Sequence, residues 1–256
     1  MNNLPRITRS LILINVVCFM LQMAVEQMYG ADYITYWCGL WPVLTPLFKW
    51  WQPLTYMFLH GGFTHLFFNM FSLWMFGRII EQNMGEKRFL GYYFACGLGA
   101  ALCQIVWQLF TADIAPTVGA SGACYGILLA FGMFYPNERI MLLFPPIPMK
   151  AKYFVAGYAA IEVFSAFTSN GNIAHFAHLG GMFFGWLLIY YWQSAARRIR
   201  RNRRNKYENW HTADYDYNLE QRRRQERVDE LLDKVRQSGY ESLTEDEKRD
   251  LFNYTR

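Results

Sequence analysis

Apolar residues along this chain are gathered into six long runs, separated by shorter stretches that carry most of the charged residues. A helix needs about 20 apolar residues to cross the hydrocarbon core of a bilayer, and somewhat fewer when neighbouring helices shield its ends. The six runs are Leu11–Met28, Phe63–Ile80, Phe89–Phe110, Ser121–Tyr135, Tyr153–Phe167 and Ile173–Trp192. The pattern predicts an all-α integral membrane protein, a bundle of six transmembrane helices with the short fourth and fifth helices inside it.

Composition changes sharply after residue 193. Of the 25 Lys and Arg residues and the 20 Asp and Glu residues, 9 and 7 lie in the first 193 positions, and the other 16 and 13 lie in the last 63. Such a contrast is typical of a membrane domain followed by an aqueous appendage. The sequence therefore predicts a transmembrane domain over residues 1–193 and a separate segment over residues 194–256.

The segment 194–256 begins with a cluster of seven basic residues just after the last apolar run, which predicts a juxtamembrane anchor. Apolar residues recur at helical spacing between positions 228 and 235, so this part is predicted to be a helix. Thr244 and Glu247 have the spacing of a capping box, which predicts the start of a second helix. Together these features predict a small cytoplasmic helical hairpin.

Basic residues indicate which way the helices run. The N-terminus, the connections after the second and fourth runs, and the tail carry all the Lys and Arg residues between the runs except Lys49. Positively charged connections stay in the cytoplasm, so both termini are predicted to be cytoplasmic in a multi-pass protein of the cell inner membrane. The net charge of +5 is small, and the basic residues stand close to the apolar runs. Both features argue against a nucleic-acid partner and for the lipid bilayer as the partner of the chain.

Four polar residues inside the apolar runs are candidates for chemistry, because buried polar groups in lipid are costly and usually functional. His65 and Asn69 lie four apart on the second run, Ser121 opens the fourth, and His178 lies in the sixth. All three helices are predicted to begin at the outer face, so these residues share one depth. A GxxxG pair accompanies both Ser121 and His178, and such pairs allow helix backbones to approach closely.

Three motifs carry a resemblance to a known family. They are HGGFTHLFFN at 60–69, GASG at 119–122 and AHLGG at 177–181. In this order, on the second, fourth and sixth helices, they resemble the rhomboid family of intramembrane serine proteases, over about residues 5–193. The resemblance implies a rhomboid-like bundle that cleaves transmembrane segments of membrane proteins. One departure is Gln52, which follows Trp51 where many relatives have Arg, and it leaves the anchoring of the first outer loop open.

The resemblance also implies a role for each residue in these motifs. Ser121 is implied as the nucleophile and His178 as the general base of a catalytic dyad. His65 and Asn69 are implied as donors to the oxyanion, with Gly119 in the same stabilising set. Tyr125, one helical turn after Ser121, is implied to stack on the ring of His178.

A serine and a histidine together have the chemistry that peptide hydrolysis needs. A serine hydroxyl becomes a good nucleophile only when a base removes its proton, and a histidine can do this near neutral pH. We predict no acidic third member: Glu162 is on the fifth helix and has no assigned role, and His175 is predicted to be interfacial and without a role. No metal and no cofactor are predicted, because HExxH and a suitably spaced carboxylate are missing.

Two other functions are compatible with a buried polar site. A non-catalytic rhomboid-like protein would bind transmembrane clients without cutting them, but it would be expected to lack the serine or the histidine. A small-solute transporter would be expected to have internal repeats, and none is visible. The identity of the substrate, the cleavage site, the oligomeric state and the role of the tail stay open at the level of sequence.

Overall fold

Helices make up most of the protein. The computed structural model describes residues 4–111, 114–141, 148–168 and 175–254, with the side chains of 205–214 and 254 excepted. The helices among them are α1 (Arg6–Tyr29), α2 (Tyr33–Cys38), α3 (Gln52–Thr55), α4 (Phe63–Ser72), α5 (Arg78–Met84), α6 (Glu86–Phe110), α7 (Ser121–Phe134), α8 (Ala151–Thr168), α9 (His175–Ser238) and α10 (Glu245–Tyr254). A π-helical segment, Leu73–Gly77, joins α4 to α5, and a short hairpin pairs β1 (Arg139–Met141) with β2 (Pro148–Lys150).

The chain divides into two compact units, residues 1–192 and 193–256. Each of the six predicted runs corresponds to helix in the first unit. The second run includes the π-helical segment and is extended by α5 as far as Met84, and the first, third, fourth and fifth runs agree with α1, α6, α7 and α8 to within a few residues at their ends. The sixth run is predicted to end at Trp192, but α9 continues as one helix to Ser238. The predicted start of the sixth run, Ile173, lies outside the described residues, and α9 is described from His175.

Two of the described helices, α1 and α6, are both long and apolar enough to cross a membrane, and the shorter α7 is also apolar. Large apolar side chains are exposed on the outer surface of the first unit, including Leu13 on α1, Phe110 on α6 and Phe164 on α8. Large exposed apolar surfaces are rare on water-soluble proteins. The surface of this unit is therefore suited to lipid.

The core of the first unit is formed around α6 and α7. Tyr92 on α6 is fully buried, and its hydroxyl donates a 2.8 Å hydrogen bond to the carbonyl oxygen of Gly126 on α7. The buried hydroxyl of Tyr56, in the turn after α3, donates a 2.6 Å bond to the carbonyl of Gly97 on α6. Buried hydroxyls need such partners, and these two bonds fix α7 and the turn after α3 against the same helix.

The segment between α1 and α4 is anchored by Gln52, which is fully buried. Its amide nitrogen donates to the carbonyl oxygens of Leu47 and Trp37, and its side-chain oxygen accepts from the backbone N–H of Trp41. A neutral amide thus anchors this segment through three hydrogen bonds. The departure from the Trp-Arg pattern at this position does not leave the loop unattached.

In the second unit, α9 ends at Ser238 and is followed by Gly239, whose φ of 82° lies in the left-handed region that favours glycine. The backbone N–H of Thr244 donates to the carboxylate of Glu247, and the N–H of Glu247 donates to the hydroxyl of Thr244. These two reciprocal bonds form the capping box that the sequence predicts at the start of α10. Leu231 and Leu243 are buried within this unit.

Candidate active site

Ser121 is the first residue of α7, and the turn before it sets its position. Gly119 has φ of 127°, and its N–H donates a 2.9 Å hydrogen bond to the carbonyl oxygen of Tyr56. A Cβ atom at Gly119 would lie 2.7 Å from the ring of His65, so the site needs glycine for space as well as for conformation. The helix begins without a side-chain cap, which leaves backbone N–H groups of its first turn available to a ligand.

Helices α7 and α9 cross at their glycines. A Cβ atom at Gly181 would overlap the backbone carbonyl of Gly122, and one at Gly126 would lie 3.0 Å from the carbonyl oxygen of Gly181. The close crossing expected from the two GxxxG pairs is therefore confirmed at Gly181. Gly185 has a different neighbour, because it packs against the hydroxyl of Tyr92 on α6.

This crossing brings Ser121 and His178 into contact. Nε2 of His178 lies 2.8 Å from Oγ of Ser121, which is hydrogen-bonding distance. The ring of Tyr125 stacks on the ring of His178, with centroids 4.3 Å apart and planes 11° apart. The side chain of His178 is 12% exposed, so the pair is mostly buried but still accessible to solvent.

His65 and Asn69 lie on α4, beside the start of α7. Nδ1 of His65 accepts a 3.3 Å hydrogen bond from the backbone N–H of Gly61, which leaves Nε2 to carry the ring proton. Asn69 is 5% exposed, and its side-chain nitrogen has no hydrogen-bond partner among the described residues. An unpartnered buried donor is unusual in a native structure, and this amide is free to donate a hydrogen bond within the site.

Glu162 and His175 join this cluster, although the sequence analysis predicts no acidic third member and gives His175 no role. The carboxylate of Glu162 on α8 lies 2.6 Å from Nδ1 of His175 and 3.0 Å from Nδ1 of His178, and it accepts a hydrogen bond from the hydroxyl of Tyr125. An acidic group is thus present beside the histidine. A lone acid in an apolar helix was a usable signal, as was the spacing of three between His175 and His178.

Three of these side chains have the composition of a partial metal site. The nearest ligand atoms of Glu162, His175 and His178 all lie within 4.8 Å of one another. Two protein ligands on a tetrahedral zinc ion, each about 2.0 Å from the metal, would lie about 3.3 Å apart. The 2.6 Å separation of Glu162 and His175 is a direct hydrogen-bond distance, so the arrangement fits a polar network better than a metal cage.

The five cysteines are free thiols in this structure. Cys96 and Cys124 are buried in the core, and Cys96 packs against Gly126 and Gly185. Buried free cysteines of this kind act as small apolar packing residues.

Comparison with known proteins assigns the two parts of the chain separately. Residues 47–194 match the model of the Rhomboid domain, and residues 211–256 match a family of unknown function, DUF6576. The Rhomboid match contains Asn69, Ser121 and His178.

Individual relatives agree with the first match. Rhomboid protein 1, mitochondrial, of Saccharomyces cerevisiae is 30% identical over 148 residues, which are 57% of this chain and 43% of that protein. The human presenilin-associated rhomboid-like protein, mitochondrial, is 30% identical over 159 residues, 60% of this chain and 40% of its own length. Rhomboid protease GluP of Bacillus subtilis is 37% identical over 95 residues, 37% of this chain and 18% of its own.

This chain thus spans less than half the length of each of these three relatives. The Rhomboid model nevertheless covers more than half of the chain, including the crossing of α7 and α9. The chain belongs to the rhomboid family, whose members are membrane proteins and include intramembrane proteases and some pseudoproteases.

Proposed function

We propose that this chain is an intramembrane serine endopeptidase that cleaves transmembrane segments of other membrane proteins with a Ser121–His178 dyad. The observation that carries the proposal is the 2.8 Å separation of His178 Nε2 and Ser121 Oγ. A nucleophile and its base must lie within hydrogen-bond reach, and the ring of the base must be held in place. Stacking by Tyr125 supplies that restraint.

The reaction follows from this contact. His178 Nε2 takes the proton from Ser121 Oγ as the oxygen forms a bond to the carbonyl carbon of the substrate peptide. The tetrahedral oxyanion then collapses and breaks the carbon–nitrogen bond, and the leaving amine takes its proton from His178. A water molecule, deprotonated by the same ring, attacks the acyl group and releases the second product and Ser121.

Donors for the oxyanion are available on two sides. The unpartnered side-chain nitrogen of Asn69 and the protonated Nε2 of His65 come from α4, and the backbone N–H of Ser121 comes from the start of α7. Fixed donors of this kind stabilise charge that develops only in the transition state. Gly119 allows His65 to approach the serine.

The proposal includes a six-helix transmembrane domain over residues 1–193 and a cytoplasmic tail over 194–256. The charge distribution of the loops supports cytoplasmic termini. The proposal places the chain in the cell inner membrane. Membership of a family that acts on membrane proteins supports transmembrane segments as substrates. A helical peptide bond is shielded from a nucleophile, so clients with helix-weakening residues near the cut are expected.

The test is cleavage of a transmembrane peptide library by the purified chain in detergent and in proteoliposomes, with products read by mass spectrometry. We expect discrete cuts within the apolar segments, and none with Ser121→Ala. Binding of the peptides without any cleavage would instead support a non-catalytic rhomboid-like protein. Uptake of small solutes into the proteoliposomes without cleavage would support a transporter.

A further inference from the structure

Glu162 is a carboxylate in a mostly apolar helix. It lies on α8, where its neighbours in sequence are Ile161 and Val163, and its side chain is 7% exposed. Removing a carboxylate from water costs several kcal/mol unless charges or hydrogen bonds compensate, and the cost is larger in a membrane. Its retention at this position therefore requires partners.

Within the described part of the chain, the polar contacts of Glu162 lead towards the candidate active site. One carboxylate oxygen accepts from the hydroxyl of Tyr125 on α7. The other lies 2.6 Å from Nδ1 of His175 and 3.0 Å from Nδ1 of His178, both on α9. The aromatic ring of Tyr125 also stacks on the ring of His178. The Glu162 carboxylate therefore contacts both His178 and the tyrosine that stacks on it.

The two ring nitrogens of His178 are in different surroundings. Nε2 faces Ser121, and a general base needs this nitrogen unprotonated, which places the ring hydrogen on Nδ1. Nδ1 is buried and lies close to Glu162, although the ring direction is outside hydrogen-bonding geometry in this conformation. The 3.0 Å between the two atoms is nevertheless a hydrogen-bonding distance.

We propose that Glu162 is a positioning residue for His178, so that this enzyme uses a carboxylate where a Ser–His dyad alone was expected. The inference rests on the proposed protease function. The carboxylate favours the Nδ1–H form of the ring, leaves Nε2 free to accept the serine proton, and stabilises the imidazolium that forms in the transition state. His175 and Tyr125 hold the carboxylate in place and provide the compensation that its burial requires.

The main experiment compares Glu162→Gln with the wild type on one transmembrane substrate, across pH. We expect kcat to fall by about 10²–10⁴-fold at neutral pH, up to about the 10⁴-fold loss seen when serine proteases lose the orienting carboxylate, with KM changed by less than about three-fold. Glu162→Asp keeps the charge, so its kcat should be at least about ten-fold higher than that of Glu162→Gln. The matched control is Glu81→Gln, which removes another buried carboxylate, on α5. Its kcat should equal that of the wild type.

The pH profile separates positioning from a merely structural role. The titratable groups facing His178 are Glu162 on α8, Tyr125 on α7, His175 on its own helix and His65 on α4. Of these, Glu162 is the acidic one, and its charge favours the protonated ring. In Glu162→Gln, the acid limb of the kcat/KM profile should therefore move to lower pH. In His65→Gln, the acid limb should stay at the pH of the wild type or move to slightly higher pH.

A measurement on the unaltered protein covers the case in which Glu162→Gln does not fold. Nitrogen-15 NMR of labelled histidines, with His178→Ala to assign the signal, reports which ring nitrogen carries the hydrogen. We expect His178 in the Nδ1–H form above its titration, and a dominant Nε2–H form would overturn the inference. Loss of cleavage on treatment with a chelator, restored by zinc, would overturn it as well.

The outcomes also separate this inference from the proposed function. If Ser121→Ala is inactive while Glu162→Gln keeps the kcat and pH profile of the wild type, the positioning role is wrong and the protease stands. If Ser121→Ala still cleaves, the protease mechanism itself is wrong. A fall in kcat with an unmoved pH profile and no recovery in Glu162→Asp would assign Glu162 to structure alone.

Discussion

Two buried carboxylates in the first unit have opposite kinds of neighbours. Glu81 on α5 is 2% exposed and accepts hydrogen bonds from the backbone N–H groups of Ile7 and Thr8, at 2.9 and 2.7 Å, and from the hydroxyl of Thr8. Glu162 on α8 is 5% exposed and contacts a tyrosine and two histidines.

The partners of each carboxylate explain its use. Ile7 and Thr8 are in the first turn of α1, where N–H groups have no partner within the helix, and Pro5 before them supplies no side-chain cap. Glu81 therefore caps α1 from another helix, with neutral donors that do not change with pH. The groups around Glu162 include the proposed general base and its neighbour. The same side chain is structural at one site and, on our inference, part of the chemistry at the other.

The largest losses of activity are expected at the serine and its base, on the Glu162 side of this comparison. Ser121→Ala and His178→Ala should each lower kcat by about 10⁴–10⁶-fold, because without either group there is no activated nucleophile. The double variant should lose little more than each single one, since residues that act as one unit are not additive. Steady-state cleavage assays test this, and additive losses would show that the two residues act independently.

A smaller loss of activity is expected on the oxyanion side. Asn69→Ala removes one donor, and such losses are typically about 10²–10³-fold in kcat, with the lower end expected here because the Ser121 N–H remains and water must enter. KM should stay nearly unchanged. Asn15→Ala, which deletes a buried amide on α1, is the control and should keep kcat. A folded Asn69→Ala variant as inactive as Ser121→Ala would assign Asn69 to a different role.

At Glu81 the expected change is in stability rather than in activity. Glu81→Gln replaces a charged acceptor by an amide and leaves one of three donors poorly paired, which should lower the free energy of unfolding by about 1–3 kcal/mol. Cleavage per folded molecule should stay within about two-fold of the wild type. Denaturant unfolding in micelles measures the first quantity, and Glu86→Gln, an exposed carboxylate at the start of α6, is the control. A selective loss of kcat in Glu81→Gln would end the contrast with Glu162.

The smallest effect is expected at Glu247, a partly exposed carboxylate in the second unit. Lys234 donates hydrogen bonds to Glu247 and, with the N–H of Thr244, holds the pKa of Glu247 down to about 2 from 4.5. Because the folded pKa is the lower one, the stabilising contact is complete above about pH 4.5 and is lost as the pH falls through about 2. Carboxyl carbon NMR of the full chain should give this titration midpoint.

The control for that titration is a second lysine. Lys234→Gln should move the midpoint of Glu247 back up towards the ordinary glutamate value, whereas Lys248→Gln, whose contacts are with Glu241 and Glu245, should leave most of the shift. An unchanged midpoint in Lys234→Gln would show that the capping box alone holds the carboxylate.

The sequence predicts the helix positions and the Ser121–His178 contact because both leave a signal in the local pattern of residues. Apolar periodicity locates the helices, and charge in the loops gives the polar residues a common depth. The glycines on α7 and α9 then leave one close approach for these faces, which the structure has at Gly122 and Gly181.

The contacts of Glu162, Glu81 and Gln52 depend on information that periodicity does not contain. The rotation of α8 about its axis decides whether Glu162 faces His178 or lipid, and the apolar residues on every side of α8 leave that rotation open. Glu81 pairs with residues 73 and 74 positions earlier in the chain, across a tertiary contact. Gln52 keeps its segment anchored because an amide satisfies three partners without the charge of the expected arginine.

The central claim is that His178 activates Ser121 as a nucleophile. A fluorophosphonate probe reacts with activated serines, so labelling of the purified chain followed by peptide mapping tests this claim directly. We expect a single labelled site at Ser121 in the wild type, strongly reduced labelling in His178→Ala, and none in Ser121→Ala, with all three proteins equally folded. Labelling at another serine, or undiminished labelling of Ser121 in His178→Ala, would contradict the claim.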